Sequence, residues 1–593
     1  MCRIVGLVNA ALPEEEVAQL VGKMNNRLIH GGPDAQQLQH FPGCHFSLGH
    51  CRLAIIGIAP SGNQPMQYAP TADVIAYNGE LYNYRELKVE LQQQGCVFTT
   101  DTDTEVVLAA YATWGTDAFA RFTGMFAFAL WDSSHNKLLL VRDSAGIKPL
   151  YYAHTKEGLA FASEVKAFAD VPWLQEPNHQ WPVYLMAYGF LPEPVTTLRQ
   201  VQPLEKGTCA IYNFADNSLQ KKVFRRQKFS STITDTATAI QMVKQQFTAA
   251  VQRHMIADAP IGVFLSGGLD SSLIAKTAAG FTSRLNTVSL FFKEEQYSEK
   301  KYQDIVRQQI EAAHYQHLLT SNEFNNCLPD IINAMDLPCG DGINTWFISK
   351  YARQTGLKAV LSGIGSDEIF GGYPSFSRMA ATNLLQQLPA SILKMGRLFA
   401  AKKFKRLAYL GLGGINGRYL FLRGQFTPED IAARLQLSPE EVWRTLQEIQ
   451  FPDISHLSNG DQACWMEMNI YMQNQLLRDA DVMSMAHGLE IRVPFLDSSF
   501  TDTVLSIAPG IKFGGSVKKG LLVEAFKEVL PSEVWNRPKM GFSFPFKEWF
   551  SNPMYASFAG IDDLRQPHAA LCNGQLHWSQ FFSLMLVKYK YGS

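Results

Sequence analysis

Hydrophobic residues in this chain gather in short, nearly continuous runs broken by polar or glycine-containing turns. In the first half, 4–8, 49–56, 76–83, 125–132 and 138–143 read as strands, the last two joined around the turn Ser133-Ser134-His135-Asn136. Runs with so little alternation predict sheets covered on both faces. Residues 102–105 open a helix, with Asp103 or Thr104 as its cap. The second half changes rhythm. An amphipathic helix over 237–255 leads to a strand over 261–265 and a helix over 271–279. Strands over 286–292, 314–319 and 358–362 then alternate with helices over 299–312, 323–335 and 345–354. That alternation predicts a parallel, doubly wound sheet with ligands at the carboxyl ends of its strands. The stretches 191–203 and 213–231 read as connections.

The run over 261–265 stops at Ser266-Gly267-Gly268, and a helix starts beyond Asp270. A strand feeding a glycine turn and a helix start makes an anion site, because unpaired N–H groups of the first turn face the ligand. Ser266, Ser271 and Ser272 add hydroxyl donors. Asp270 fits beside a phosphate only with a divalent cation between them. The loop therefore reads as a pyrophosphate site for ATP with Mg2+. A Walker loop would carry a lysine and a dinucleotide fingerprint three spaced glycines; this loop has neither. A second glycine loop over 361–373 carries Asp367, which could share the Mg2+ with Asp270. The stretch 411–417 imitates a dinucleotide loop without a strand before it, and reads as a turn.

Cys2 stands just ahead of the first strand. Removal of Met1 would set its thiol beside a free α-amino group, which titrates near pH 8 and can act as the base for the thiol. A lone cysteine is otherwise a small buried hydrophobe, so the neighbouring blocks decide. Composition narrows the class. At 593 residues the chain spans roughly three to four folding units by length alone. Hydrophobic content of 46% and charged content of 18% describe a globular protein, and the net charge of -1 offers no nucleic-acid footprint. The nine cysteines are scattered with no CxxC pair, which points to a reducing cytoplasm. No apolar run reaches membrane-spanning length, and the N-terminus lacks a basic region followed by an apolar stretch. Cys44, His45, His50 and Cys51 do not make a zinc site, because adjacent side chains on a strand face opposite ways.

The mid-chain loop resembles that of the ATP-pyrophosphatase families. Together with Cys2, Gly49-His50-Cys51-Arg52, Ala76-Tyr77-Asn78-Gly79-Glu80, Thr102-Asp103-Thr104-Glu105 and the long block from Arg478 to Asp497, the chain resembles the glutamine-hydrolysing asparagine synthetase (asparagine synthetase B) family along nearly all its length. The resemblance implies two domains, 1–222 and 223–593. The first is an αββα four-layer sandwich, an N-terminal-nucleophile glutamine amidohydrolase. The second is a doubly wound parallel α/β ATP-pyrophosphatase domain with extra helices. It implies that Cys2 attacks the amide of glutamine, with Asn78 and the Gly79 N–H on the oxyanion. Arg52 would hold the α-carboxylate of glutamine, and Glu80 and Asp103 its α-ammonium. ATP would lie on Leu265, Ser266, Gly267, Gly268, Asp270, Ser271, Ser272, Ser289, Ser362 and Gly363. Asp270 and Asp367 would hold Mg2+, and Lys539 would neutralise charge on the α-phosphate. Ammonia would pass inside the protein to an acyl-adenylate, aspartate being the default acceptor.

Three departures stand out. Gly31 replaces an arginine common in the turn at 30–34, Ser144-Ala145 replaces a common Arg-Phe, and Ile364 replaces a common acid. Ile364 cannot move a proton, so a sugar acid or other metabolite is the rival acceptor. Cys2 argues against a ring-closing ligase, and the ATP loops argue against a regulator that only cleaves glutamine. A tRNA thiolase would have no use for a glutaminase. His487 reads as a core histidine. Lys394, Arg397, Lys402, Lys403, Lys405 and Arg406 read as a solvated helix face, with an anion-docking patch as the minority reading. A homodimer is allowed by the sequence without being required.

Overall fold

The structure, a computed structural model, describes residues 2–398, 402–515, 517–537, 540–541, 543–558 and 564–591. Lys539 lies outside the described residues, as do the side chains of Lys394, Arg397, Lys402 and Lys403.

Two antiparallel six-stranded sheets build the N-terminal unit. One runs in the order β10 (Gln202–Pro203), β8 (Tyr151–Thr155), β9 (Gly158–Ala162), β1 (Arg3–Asn9), β3 (Phe46–Arg52), β2 (Ala35–Phe41). The other runs β12 (Ser218–Val223), β11 (Thr208–Asn213), β7 (Lys137–Arg142), β6 (Gly124–Asp132), β5 (Val74–Leu81), β4 (Met66–Gln67). The two-residue period of a strand sorts their side chains. Ile4, Val8, Phe46 and Leu48 meet Val74, Ala76, Ala127 and Ala129 in a core between the sheets. The alternate residues Val5 and Leu7 pack outward in a core with Val17, Val21 and Met24 of the helix Glu14–Asn26. Ile75, Tyr77, Phe126 and Phe128 do the same with Val106, Val107 and Ala110 of the helix Asp103–Trp114. Each fully buried side chain of this kind contributes about 1.5–3 kcal/mol. The result is the expected four layers, helix, sheet, sheet, helix. It also turns Cys2 and Asn78, both at even positions, towards the same inter-sheet space.

The C-terminal unit holds a parallel sheet in the order β15 (Ala312–Leu318), β14 (Leu285–Phe291), β13 (Ile261–Phe264), β16 (Ala359–Leu361), β17 (Glu490–Arg492). The chain leaves β13 first to one side and later returns to the other. The crevice therefore opens at the carboxyl ends of β13 and β16, where an open α/β sheet binds its ligand. No described helix is long and apolar enough to cross a membrane.

Several local expectations are corrected. Thr102, in extended conformation, caps the helix Asp103–Trp114 by accepting the Glu105 N–H, which frees the Asp103 carboxylate for another partner. The supposed connection 213–231 contains β12, and 191–203 contains β10. An edge strand such as β12 exposes polar side chains on its free side, so its sequence lacks an apolar signature. The helix expected over 299–312 is Lys300–Arg307, and Ala312 already opens β15. The four residues of the rejected zinc cluster do not converge. His45 meets the Leu12 carbonyl, His50 the Tyr77 carbonyl, and Cys51 meets Asn25. The turn expected over 411–417 shrinks to Gly413, because Gly411 lies in the helical segment Arg406–Leu412 and Gly414 and Gly417 in Gly414–Arg423.

Candidate active sites and the seam between them

Cys2 is buried at the open end of β1. Its backbone N–H donates to Asn78 Oδ1 at 3.2 Å, and its Sγ lies 4.0 Å from the Leu53 carbonyl. Burial pushes the thiol up, while the chain terminus, the Leu53 contact and Arg52 pull the other way. Asn78 is fully buried on β5, and its Nδ2 has no partner. A buried amide donor left open beside a thiol is costly at rest and useful once an oxyanion forms. Gly79 is paired with Phe126 in the sheet.

The three residues expected to bracket glutamine are brought to this end of the unit, each with neighbours already in place. Arg52 donates from Nη1 to the Ala59 carbonyl at 2.9 Å and to Asn63 Oδ1 at 2.8 Å, and from Nη2 to the Gly57 carbonyl at 2.5 Å. Its guanidinium thus also braces the loop after β3. Asp103 accepts the Leu81 N–H at 2.9 Å; burial, then repulsion from Glu490, raises it to about 6. Glu80 lies 3.3 Å from Arg492 Nη2, a residue of β17 in the other unit. Burial and the Glu490 carboxylate push Glu80 well above the usual carboxylate range, against the pull of Arg492.

In the C-terminal unit a cavity of about 1110 Å³ opens at the switch point. Leu265, Ser266, Gly268, Asp270, Ser271, Ser289, Ser362 and Gly363 line it, whereas Gly267 and Ser272 do not. Ser266 Oγ accepts the Gly268 N–H at 3.3 Å and meets Ser271 Oγ at 2.9 Å, so the loop is tied before any ligand arrives. Ser289 Oγ donates to the Leu265 carbonyl at 2.6 Å. Gly363 is required by a close approach, because a Cβ there would stand 2.9 Å from Asp270 Cβ. Asp270 and Asp367 do converge, and the point they share is Lys519 Nζ, at 2.7 Å and 2.6 Å. Ser366 Oγ donates to Asp270 Oδ1 at 2.6 Å. Two carboxylates and a hydroxyl on one point are a hard oxygen donor set, which fits Mg2+ when phosphate oxygens complete the shell. Among the described residues no cluster of three or more His, Cys, Asp or Glu side chains could hold a metal without such help.

Sequence reasoning missed Lys519. The signal was a lysine pair, Lys518-Lys519, just before the apolar helix Gly520–Phe526, and nothing local distinguishes it from a solvated helix start. It also gave no role to Arg537, which donates to the Gly267 carbonyl at 3.0 Å and pairs with Glu299 at 2.7 Å.

The rest of the cavity lining is largely acidic and aromatic. Glu368, Asp341, Asp479, Tyr373 and Tyr471 stand there with Asn344, Thr345 and Ile364. Burial, then the neighbouring Asp367, raises Glu368 to about 7, and the Tyr373 hydroxyl donates to it at 2.7 Å. Burial and Asp341 likewise raise Asp479 to about 7. His487 packs edge-on against Trp346 with ring centroids 4.5 Å apart, and burial lowers it to about 4, so the ring is a neutral packing group.

The units are not merely tethered. Arg492 is fully buried and donates to the His254 and Ile256 carbonyls and to Glu490 while facing Glu80. A two-sheet sandwich with Cys2 at the end of β1 and a parallel α/β sheet with a cavity at its switch point thus share a buried, charged seam, the layout of a two-unit amidotransferase. An asparagine synthase family model matches residues 242–576, and a glutamine amidotransferase domain model matches 1–245. The chain is 32% identical over 574 residues to Asparagine synthetase [glutamine-hydrolyzing] 1 of Bacillus subtilis (strain 168), across 93% of this chain and 88% of that protein. It is 33% identical over 589 residues to a putative asparagine synthetase [glutamine-hydrolyzing] of Mycobacterium bovis, with the same shares covered. It is also 28% identical over 584 residues to Amidase chry2 of Gibberella zeae, across 90% of this chain and 86% of that protein. The chain belongs to the asparagine synthase family. It is a glutamine-hydrolysing amidotransferase of that type, a ligase that forms C–N bonds.

Proposed function

We propose that the glutaminase unit, residues 1–222, and the synthetase unit, residues 223–593, make and consume one ammonia molecule per cycle. With Met1 removed, the α-amino group of Cys2 accepts the thiol proton. The sulfur attacks the side-chain carbonyl of glutamine, and Asn78 Nδ2 with the Gly79 N–H holds the oxyanion. Collapse, with the proton passed from the Cys2 α-ammonium to the leaving nitrogen, breaks the C–N bond, expels ammonia and leaves a γ-glutamyl thioester, which water hydrolyses to glutamate and the free thiol. Arg52 binds the α-carboxylate, and Glu80 and Asp103 face the α-ammonium.

In the second unit the tied serine–glycine loop and the first turn of the helix Leu269–Ala279 cradle the pyrophosphate of ATP. Asp270 and Asp367 would hold Mg2+, which supplies charge neutralisation between the phosphates. Lys519 stands between these acids on the cavity lining and would add a cation to the phosphate site. The acceptor carboxylate attacks the α-phosphorus and expels pyrophosphate, with Lys539 countering charge on the α-phosphate. Ammonia then attacks the acyl-adenylate carbon, giving the amide and AMP. At neutral pH free ammonia is mostly ammonium, so a passage closed to water preserves the nucleophile.

The observation that carries this reading is the open Nδ2 of Asn78 beside the terminal thiol, in a chain whose other crevice has a phosphate loop. Aspartate is the default acceptor. A second reading, the same chemistry on another carboxylate such as a sugar acid, is favoured by Ile364 in the cavity wall and by the acids around it. Cys2→Ala is expected to abolish glutamine-dependent synthesis and keep ammonia-dependent synthesis. Pyrophosphate release with glutamine and ATP across a panel of carboxylic acids separates the acceptors. Release with no acid in the panel, or loss of both activities in a folded Cys2→Ala variant, would sink the reading.

A further inference from the structure

Arg3 follows the proposed nucleophile directly and has no part in the chemistry above. Its side chain is fully buried. A charge so placed is tolerated only when it is paired and hydrogen-bonded. Nε donates to Glu164 Oε1 at 2.6 Å, and Nη1 donates to Asp481 Oδ2 at 2.8 Å. Glu164 follows β9 in the glutaminase unit and is shared with His30 Nε2 at 3.0 Å and Lys166 Nζ at 2.8 Å. Asp481 comes from the synthetase unit, and its other oxygen lies 3.5 Å from Lys148 Nζ.

Room for Arg3 comes from Gly31. A Cβ at that position would stand 2.7 Å from Arg3 Cγ and 2.9 Å from its Nε. Any side chain there would push the guanidinium off its acids. Arg3 is also the residue at which β1 begins to pair, opposite Cys51 of β3. Cys2 lies one step beyond that pairing, where a strand end frays unless something ties it down. The tie reaches across the seam along the helix Arg478–Met485. Residues two apart on a helix point roughly 200° from one another. Asp479 accordingly lines the nucleotide cavity while Asp481 reaches Arg3.

We propose that Arg3 is a positioning residue for Cys2, clamped jointly by Glu164 and Asp481, so that the glutaminase thiol is held in register by the docked synthetase helix. The inference rests on the reading of Cys2 as the nucleophile. Two substitutions disturb the clamp from opposite sides. Asp481→Asn removes the charge at constant size, and Gly31→Ala displaces the guanidinium. In the full-length enzyme each should lower kcat for glutamate release about 10- to 100-fold, as small misplacements of a reacting group do. KM for glutamine and ammonia-dependent synthesis should stay within about twofold, the pattern of a lost transition-state alignment. The rate at which iodoacetamide alkylates Cys2 should fall with kcat, and Arg3→Lys should retain more kcat than Arg3→Ala. Equal losses of glutamine- and ammonia-dependent synthesis would make Arg3 a folding residue and overturn the proposal, as would unchanged hydrolysis in both clamp variants. Hydrolysis that survives Cys2→Ala is a different result, which removes the nucleophile itself.

Discussion

Replacing Asn78 by Ala separates the two jobs of one buried amide. In the resting enzyme its Oδ1 accepts the Cys2 N–H at 3.2 Å, and its Nδ2 faces no acceptor. An unpartnered buried donor costs about 1–3 kcal/mol, and a formed hydrogen bond contributes about 1 kcal/mol. Alanine removes the idle donor but leaves the buried Cys2 N–H without its acceptor at a similar cost, so these stability terms largely cancel and the unfolding midpoint should move little. Catalysis has no such compensation. The oxyanion would lose a preorganised donor inside a site closed by the two sheets, a loss of about 2.7–4 kcal/mol, or 10²–10³ in kcat. The assay is glutamate release from saturating glutamine, run beside ammonia-dependent pyrophosphate release on the same preparation. The first rate should fall by that factor and the second should hold. A drop in glutamate release of less than about tenfold would refute the reasoning, because a donor worth so little is not aimed at the oxyanion.

Two further outcomes follow from the synthetase cavity. Lys519→Ala leaves Asp270 and Asp367 facing each other without their cation, and breaking a buried pair costs about 3–5 kcal/mol. These acids keep some solvent contact, so the lower end is expected; Mg2+ should raise the thermal midpoint more in the variant than in the parent, and equal shifts would contradict a shared divalent site. Glu368 is raised from 4.5 to about 7, so the folded state binds its proton more tightly than the unfolded chain. The destabilisation is absent below about pH 4.5, builds as pH rises and is complete above about pH 7, reaching roughly 3 kcal/mol at most. Urea titrations at pH 5 and pH 8 should therefore show Glu368→Gln gaining on the parent as pH rises, and a difference independent of pH would refute it.

The apolar runs made only some of the covered strands legible: β9, five residues long and buried throughout, went unread. β6 and β13 read correctly because their burial is written in consecutive residues. β2 and β12 did not, since an edge strand such as Ala35-Gln36-Gln37-Leu38-Gln39 carries too few apolar residues to advertise itself. Motifs behaved likewise. The serine–glycine turn could be read locally, because strand, turn and helix start are neighbours in the chain. The helix cap shows the limit even at short range, since Thr102, Asp103 and Thr104 are all competent caps, and the backbone conformation at residue 102 selects the first.

The sequence alone carried the alternation of strand and helix in the second unit and the turn between β13 and its helix, while the four-layer order and the family came through the resemblance of its motif blocks. Tertiary structure decided which charges meet. Arg3 and Asp481 are 478 positions apart, and Lys519 reaches Asp270 across 249. Glu80 is answered by Arg492 from the other unit. An ion pair leaves no periodicity behind, and a buried lysine looks like an exposed one until the fold removes the water around it.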